Sequence, residues 1–264
     1  MKYSQLFEHL ANSFFILSTS LLLLESMIYF SVCSRKDNPP KALERLKAFI
    51  RDNDDFRLKV AYDSKSIYEG HRDNLEQFRR IYGLLNTDII VLLHDDVDIL
   101  SNAQDVRRYL SVLRNPLVGF VGVAGGCWLP PQGWWVSRNS GEARGFVFQG
   151  DNAETMSPNY FGPAGQVLIL DGCFLATTYK TLQDILGLYQ PAYLTSPWDW
   201  YDMFWTYEAY LKGYNNYTVP IIIRHESSGI MRKPWYDSNE EFRKHHIDTL
   251  KYAKLDIAKT TGLP

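Results

Sequence analysis

The sequence predicts an α/β fold in which a mostly parallel, Rossmann-like sheet carries helices on both faces. Strand-like and helix-like segments alternate from residue 27 to residue 124, which is the order of a doubly wound sheet. The clearest strand, 89–93, is a run of five apolar residues, as expected for a strand buried on both faces. The length of 264 residues suits one sizeable domain of this kind.

Each element of the first half has a recognisable signature. The first strand is short, β-branched and aromatic, and it ends in a polar turn with two prolines. The helices show apolar residues three or four positions apart. The predicted elements are strands at 27–33, 56–62, 89–93 and 118–124, and helices at 41–51, 74–85 and 103–114.

The second half is less regular. Residues 127–163 are rich in Gly, Pro, Trp and Asn, and they predict loops over the site with one hairpin. Beyond them we predict strands at 167–170 and 219–223 and helices at 179–186 and 203–211. The tail, 238–259, has the pattern of an amphipathic helix with Phe242, Ile247, Leu250 and Leu255 inward.

Composition excludes some classes of protein. Lys and Arg total 28 against 30 Asp and Glu, a near balance that argues against a nucleic-acid partner. Cys33, Cys127 and Cys173 are widely separated and show neither metal-site nor disulfide spacing, which favours a reducing compartment and a cytoplasmic location. The sequon at Asn216 is therefore expected to be unused.

The N-terminal residues 1–26 contain an apolar stretch, 10–24, that is shorter than the roughly 20 residues of a spanning helix. It has no basic flank and no obvious cleavage site. A weakly membrane-associating helix, a helix packed on the domain and an extension upstream of the functional start all remain open. We favour an accessory extension, with peripheral membrane contact as the alternative.

Acidic residues follow the third predicted strand directly. His94, Asp95, Asp96 and Asp98 concentrate negative charge at the carboxyl edge of the sheet, where ligands bind in such folds. Neighbouring carboxylates repel one another, and a divalent cation relieves that repulsion. Oxygen ligands suit Mg²⁺ or Mn²⁺. The alternative is a solvated loop that caps the next helix.

The segment from residue 89 to residue 97, IIVLLHDDV, resembles the strand and D-x-D element of GT-A-fold glycosyltransferases in the family-2-like group. His94 stands where the usual motif has its first Asp. The resemblance covers most of 27–229 and implies Asp96 as a direct ligand of Mn²⁺ or Mg²⁺. It places Asp95 near the ribose of the donor or the waters of the metal.

Three later segments match the same family in order. Asp171 and Gly172 resemble the segment that lines the donor sugar and the acceptor. Asp202 matches the catalytic base of inverting members by position. Asp199 is the alternative candidate for that base, or it simply caps the helix. His225, directly after a predicted strand, resembles the late histidine that completes metal binding.

The resemblance also places nucleotide contacts after the first two strands. Ser34 and Arg35 are expected near the base or ribose, and Asp63 is expected to accept a hydrogen bond from a uracil-type N–H. Arg72 and Asn74 are expected at the diphosphate or base. Each of these residues could equally be a turn or helix-start residue. Candidate sugar platforms, which could also be core residues, are Trp128, Trp134, Trp135, Trp198 and Trp200.

Together these matches imply an inverting, metal-dependent transfer of a sugar from a nucleotide diphosphate, with UDP favoured. The acceptor would be a hydroxyl of a glycan, a lipid-linked or a protein-linked molecule. Residues 27–230 would form the catalytic domain, between the extension 1–26 and a helical tail, 231–264. The rival interpretation is a haloacid-dehalogenase-like phosphohydrolase using Asp96 and Asp98, which is disfavoured because its strand would come first in the sheet.

Overall fold

The first half of the chain forms the predicted alternation of strands and helices. The structure is a computed structural model that describes residues 27–34, 41–151, 155–227, 229–260 and 262–264. The first elements are β1 (Ile28–Ser34), α1 (Lys41–Arg51), β2 (Phe56–Tyr62), α2 (Ile67–Tyr82), β3 (Ile89–His94), β4 (Val97–Ile99), α3 (Ala103–Leu110), β5 (Val118–Gly122) and β6 (Ala124–Gly126).

The second half contains shorter strands and the remaining helices. Short 3₁₀ helices lie at Ser111–Arg114, Trp134–Ser140 and Ile257–Lys259. The other elements are β7 (Ala143–Gln149), β8 (Ser157–Gly162), β9 (Gln166–Val167), β10 (Ile169–Leu170), β11 (Phe174–Thr178), α4 (Tyr179–Asp184), α5 (Tyr201–Leu211), β12 (Asn215–Thr218), β13 (Ile223–His225), α6 (Lys233–His245) and α7 (Ile247–Leu250).

The main sheet has seven strands in the order β2-β1-β3-β11-β5-β12-β9. Strand β1 pairs in parallel with β2 and β3, and β12 pairs in parallel with β5, whereas β11 is antiparallel to both β3 and β5. Five strands therefore run in one direction, and β11 and β9 run in the other. The predicted α/β class with a mostly parallel sheet is confirmed.

A second sheet has the order β10-β6-β7-β13-β4, with β8 paired to β7. The β7–β8 pair is the hairpin predicted within the loop-rich region. The antiparallel pairing of β13 with β4 sets His225 opposite Val97 and Arg224 opposite Asp98. This pairing brings the late histidine beside the acidic residues that follow β3.

Burial explains the central strands. All seven residues of β1 and the first five of β3 are buried, so their apolar runs are satisfied by packing on both faces of the sheet. Helix α2 begins at Ile67 and not at the predicted residue 74, because the Ser66 side chain caps it by accepting from the backbone N–H of Glu69. It ends at Gly83, whose φ of 70° is readily adopted by glycine.

Several predictions in the second half need correction. The strand predicted at 167–170 is divided between β9 of the main sheet and β10 of the second sheet. The segment after Gly172 enters the middle of the main sheet as β11, which the sequence analysis missed. The strand predicted at 219–223 is replaced by β12 and β13, which flank that segment. The tail is divided between α6 and α7, and Ile247, predicted to face inward, is 65% exposed.

Several expectations depend on side-chain burial. Asn216 of the sequon is 1% exposed, which leaves it inaccessible for glycosylation. Cys33, Cys127 and Cys173 are buried free thiols. Across the described part of the chain, no helix has the length and apolar character needed to cross a membrane. The apolar stretch 10–24 lies outside the described residues.

Asn216 joins the main sheet to α5. Its side-chain oxygen accepts from the backbone N–H of Phe120, and its amide donates to the carbonyls of Leu168 and Thr206 at 3.0 and 2.8 Å. We expect Asn216→Ala to lower the free energy of unfolding by about 3 kcal/mol, because three buried backbone groups lose their partner. The exposed helix cap Asn102 is the matched control, and Asn102→Ala should cost about 1 kcal/mol. Equal losses in urea unfolding would contradict this role.

Candidate active site and metal centre

The site lies at the carboxyl edge of the main sheet, where β3 ends. His94 is the last residue of β3, and Asp95 and Asp96 form the turn into β4. His225 is the last residue of β13, the strand that pairs with β4. The ends of β3 and β13, which belong to different sheets, and the tight turn between β3 and β4 therefore deliver two imidazoles and a carboxylate to one place.

The side chains of His94, Asp96 and His225 form the cluster of described residues that could hold a metal ion. Nε2 of His225 lies 3.3 Å from Oδ1 of Asp96 and 3.3 Å from Nδ1 of His94. Oδ1 of Asp96 and Nδ1 of His94 are 3.9 Å apart. A point equidistant from these three atoms lies about 2 Å from each, which matches the bond lengths of a small divalent cation.

Two further observations fit a cation at that point. Oδ1 of Asp96 is buried and has no aligned hydrogen-bond partner among the described residues. The two ring nitrogens that face each other are both acceptors in neutral, metal-ligating imidazoles. One cation would satisfy all three atoms, and a set of two imidazoles and one carboxylate suits Mn²⁺ and other first-row transition metals better than Mg²⁺.

Electrostatics couple the three groups. Burial pushes the pKa of Asp96 upward, but the close contact with His225 and the charge of both imidazoles hold it below its usual value. Burial pushes the pKa of His225 downward, and the contact with Asp96 nevertheless raises it above its usual value. The pKa of His94 is lowered by burial and by His225. A neutral His94 is thus the form that the site favours, as a metal ligand must be.

Asp202 lies in the first turn of α5, beside this cluster. Trp200, the residue just before α5, adopts a left-handed backbone conformation with φ of 63°. This conformation is uncommon for a residue other than glycine, and it sets the direction in which α5 begins. Oδ2 of Asp202 accepts from the N–H of Gly172 at 2.9 Å, and Oδ1 accepts from the N–H of Met203 at 2.9 Å. These bonds fix the carboxyl group against the Asp171–Gly172 turn.

The carboxyl group of Asp202 holds its proton more strongly than an ordinary aspartic acid does. Burial and the nearby charge of Asp171 raise the pKa of Asp202 to about 7, against the opposing effect of its two backbone hydrogen bonds. A base with a pKa near the working pH combines a deprotonated ground state with a useful affinity for the proton. The charge of Asp171 also acts on His94 and His225, so Asp171 is within electrostatic range of both the metal-capable cluster and Asp202.

On the other side of the cluster, the structure brings three predicted nucleotide-site residues together. The Ser34 hydroxyl donates to Oδ2 of Asp95 at 2.6 Å. The backbone N–H of Asp63 donates to the carbonyl of Ser34 at 3.2 Å, and Asp63 is exposed in a left-handed conformation with φ of 55°. Ser34 is fully buried, so Asp63 and Asp95 present the accessible polar groups of this corner. Arg35 lies outside the described residues.

Asn74 and Arg72 lie elsewhere. Asn74 is fully buried, and its amide donates to the Ser31 hydroxyl and to the carbonyls of Val32 and Lys59. The Asn74 side chain thus connects α2 to β1 and β2. It has the structural role in a helix that the sequence left open as the alternative to a nucleotide contact. The Arg72 guanidinium lies against the Tyr189 ring.

Asp98 faces away from the metal-capable cluster. Its Oδ2 accepts from Arg45 at 2.7 Å and from Arg224 at 2.5 Å, and its side chain is 8% exposed. Arg45 also reaches Glu226. Asp98 therefore anchors α1 to β4 and β13, and the phosphohydrolase interpretation loses the second carboxylate on which it depends.

The tryptophans divide into core and partly exposed residues. Trp134 and Trp200 are buried, whereas Trp128, Trp135 and Trp198 are partly exposed and stay candidate sugar platforms. Trp235, which the sequence analysis did not single out, joins Trp135 and Trp200 with ring centroids 5.5 and 5.2 Å away.

Two residues of this site, His94 and Tyr201, were not predicted from the sequence to make the contacts that they have in it. His94 was placed in the strand-end cluster and noted as a departure from the motif, but it was not predicted to be a metal ligand, although its place at the end of β3 was the available signal. Tyr201 had no signal, because an aromatic residue at a helix start is ordinarily a core residue. Its hydroxyl contacts Nε2 of His94 and lies 3.4 Å from the carbonyl oxygen of Gly172.

An α/β sheet with a metal-capable cluster at a strand end, beside a carboxyl group of raised pKa, is typical of nucleotide-binding enzymes. Residues 77–255 match the family described as "Glycosyltransferase like family", which is more than half of the chain. The chain belongs to this family, and the protein is a glycosyltransferase. The predicted resemblance to GT-A-fold glycosyltransferases is thereby confirmed.

The other comparisons add little. No curated protein matches the chain. One similar solved structure is that of CMP:2-keto-3-deoxy-manno-octonic acid synthetase complexed with CTP, at 11% identity over 86% of this chain and 98% of that chain. Its TM-score of 0.36 is too low to carry an argument about fold or function.

The raised pKa of Asp202 predicts a specific pH dependence of stability. Between its usual pKa of 3.8 and the folded value of about 7, the folded protein holds a proton that the unfolded chain releases. The contribution of this group to stability therefore falls as pH rises through that window. An asparagine side chain does not titrate, so Asp202→Asn lacks this loss. We expect the free energy of unfolding of Asp202→Asn, relative to that of the unsubstituted protein, to rise by about 2–3 kcal/mol from pH 5 to pH 8.

Urea unfolding at several pH values with a chelator present measures this difference. Groups that titrate in both proteins cancel when the variant is compared with the unsubstituted protein at each pH. A difference that stays constant from pH 5 to pH 8 would show that Asp202 is an ordinary carboxylate, and it would remove the reason to regard it as the base.

Proposed function

We propose that the protein transfers a sugar from a UDP-sugar to an acceptor hydroxyl on a glycan or glycoconjugate, with inversion at the anomeric carbon. The observation that carries the proposal is the convergence of His94, Asp96 and His225 on one point, beside Asp202 with its raised pKa. Family membership supports the transfer of a sugar as the reaction class. The arrangement supplies a place for a departing diphosphate and a base for the attacking hydroxyl.

A divalent cation, Mn²⁺ or Mg²⁺, fits the point between His94, Asp96 and His225, where the diphosphate would depart. Asp96 and His225 would hold it, as the sequence predicts, and His94 would add a third ligand. When bound, such an ion neutralises the charge that develops on a leaving diphosphate. The buried Oδ1 of Asp96 supports this assignment, because it has no aligned hydrogen bond besides its contact with His225, and a cation would complete its interactions.

Asp202 would act as the catalytic base. It would take the proton of the acceptor hydroxyl while the oxygen attacks the anomeric carbon from the face opposite the leaving group. The hydrogen bonds from Gly172 and Met203 would hold the carboxyl in place during that step. Asp171, whose charge raises the pKa of Asp202, would line the donor sugar together with Gly172.

The nucleotide would occupy the corner formed by Asp63, Asp95 and Ser34. Asp63 projects from the carboxyl end of β2 and would accept a hydrogen bond from the N3–H of a uracil ring. Asp95, held by the Ser34 hydroxyl, would face the ribose or the water ligands of the metal. Arg35 belongs to the same proposal on sequence grounds.

A nucleotide screen tests this function. UDP, GDP, CDP and dTDP are added to the protein with and without Mn²⁺, and the melting temperature is followed together with calorimetry. We expect a Mn²⁺-dependent stabilisation with UDP, of roughly 2.7 kcal/mol when the ligand is at 100 times its dissociation constant. Asp96→Ala should abolish it, because the central carboxylate ligand is lost.

Asp98→Asn is the matched control. It should lower the melting temperature, because the partly buried Arg224 and Arg45 lose their shared carboxylate, but it should keep the UDP and Mn²⁺ shift. Phosphate release that requires both Asp96 and Asp98 would favour the phosphohydrolase. The absence of a shift with all four nucleotides would contradict the sugar-nucleotide donor.

A further inference from the structure

Tyr201 has two contacts that the proposed transfer does not by itself use. Its side chain is buried, with the residue 6% exposed, at the first position of α5. The hydroxyl contacts Nε2 of His94 and lies 3.4 Å from the carbonyl oxygen of Gly172. Nδ1 of the same His94 ring is the atom that faces Asp96 and His225.

Only one placement of the protons allows the Tyr201 hydroxyl to form hydrogen bonds with both His94 and Gly172. The carbonyl of Gly172 has no proton, so the Tyr201 hydroxyl donates to it. The phenol oxygen then accepts the N–H of His94 from Nε2. Nδ1 of His94 is left with its lone pair, directed at the point shared with Asp96 and His225. The opposite arrangement would put a proton on Nδ1, in the position that a cation requires.

Gly172 makes the approach of Tyr201 sterically possible. A Cβ atom at this position would lie only 2.4 Å from the Tyr201 hydroxyl oxygen and 3.0 Å from Cβ of Asp202. The N–H of the same residue donates to Asp202. Gly172 therefore contacts both the hydroxyl that bonds His94 and the carboxyl of the base, so a shift of Tyr201 would disturb both.

We propose that Tyr201 is a positioning residue that fixes the His94 ring in the tautomer and orientation needed to bind a divalent cation through Nδ1. Gly172 is small because Tyr201 must reach His94. The proposal rests on the metal centre described under the proposed function. Hydrogen-bonded partners of this kind hold metal-ligating histidines in place, and their loss weakens metal affinity by about 10- to 100-fold.

The test is the affinity of the full-length protein for Mn²⁺, measured by calorimetry without nucleotide or substrate. Tyr201→Phe removes one oxygen atom and leaves the ring packing intact. Tyr207→Phe is the matched control, since Tyr207 lies on the same helix and its hydroxyl donates to Thr249 at 2.9 Å, outside the metal centre. We expect at least about a tenfold loss of Mn²⁺ affinity in Tyr201→Phe and no change in Tyr207→Phe.

The visible absorption spectrum of the Co²⁺-loaded protein gives a second readout, which reports ligand number and geometry. It should change in Tyr201→Phe and in Gly172→Ala, and it should not change in Tyr207→Phe. Unchanged Mn²⁺ affinity and an unchanged Co²⁺ spectrum in Tyr201→Phe would overturn the positioning role and leave the metal centre standing. If the unsubstituted protein binds neither ion at this cluster, the metal centre itself fails.

Discussion

The antiparallel pairing of β4 with β13 is the contact on which the site depends. It sets His225 opposite Val97, and so beside Asp96, although the two parts of the chain are far apart in sequence. Burial of β3 fixes the position of His94 at the edge of the main sheet. A shift of one residue in the β4–β13 register would turn His225 to the other face, so the ligand geometry and the packing of the second sheet are specified together.

The acidic residues at this edge are kept close together by different means. Two arginines neutralise Asp98, and the Ser34 hydroxyl holds one oxygen of Asp95. Two imidazoles face Asp96, and a raised pKa together with two backbone N–H groups accommodates Asp202. Each of these four carboxylates thus has a distinct environment, and such differences are what would let neighbouring carboxylates take the different roles proposed for them.

The sequence predicted the features that depend on local pattern. The apolar run of β3 and the polar residues after it could be read directly, since buried strands and their polar termini have clear signatures. His225 was singled out by the family resemblance, although the strand predicted before it, 219–223, was wrong. Strand β11 was missed because its residues pair with distant strands and show no period of their own. The link from Tyr201 to His94 could not be predicted either, because it depends on the left-handed turn at Trp200 and on the absence of a side chain at Gly172.

The most direct test of the account is the location of Mn²⁺ in crystals of the protein grown with UDP, found by anomalous diffraction at the manganese absorption edge. We expect one strong peak about 2.0–2.2 Å from Nδ1 of His94, Oδ1 of Asp96 and Nε2 of His225. We also expect the diphosphate of UDP on the open side of the ion. A UDP molecule bound with no ion at these atoms, or an ion held elsewhere, would contradict the account.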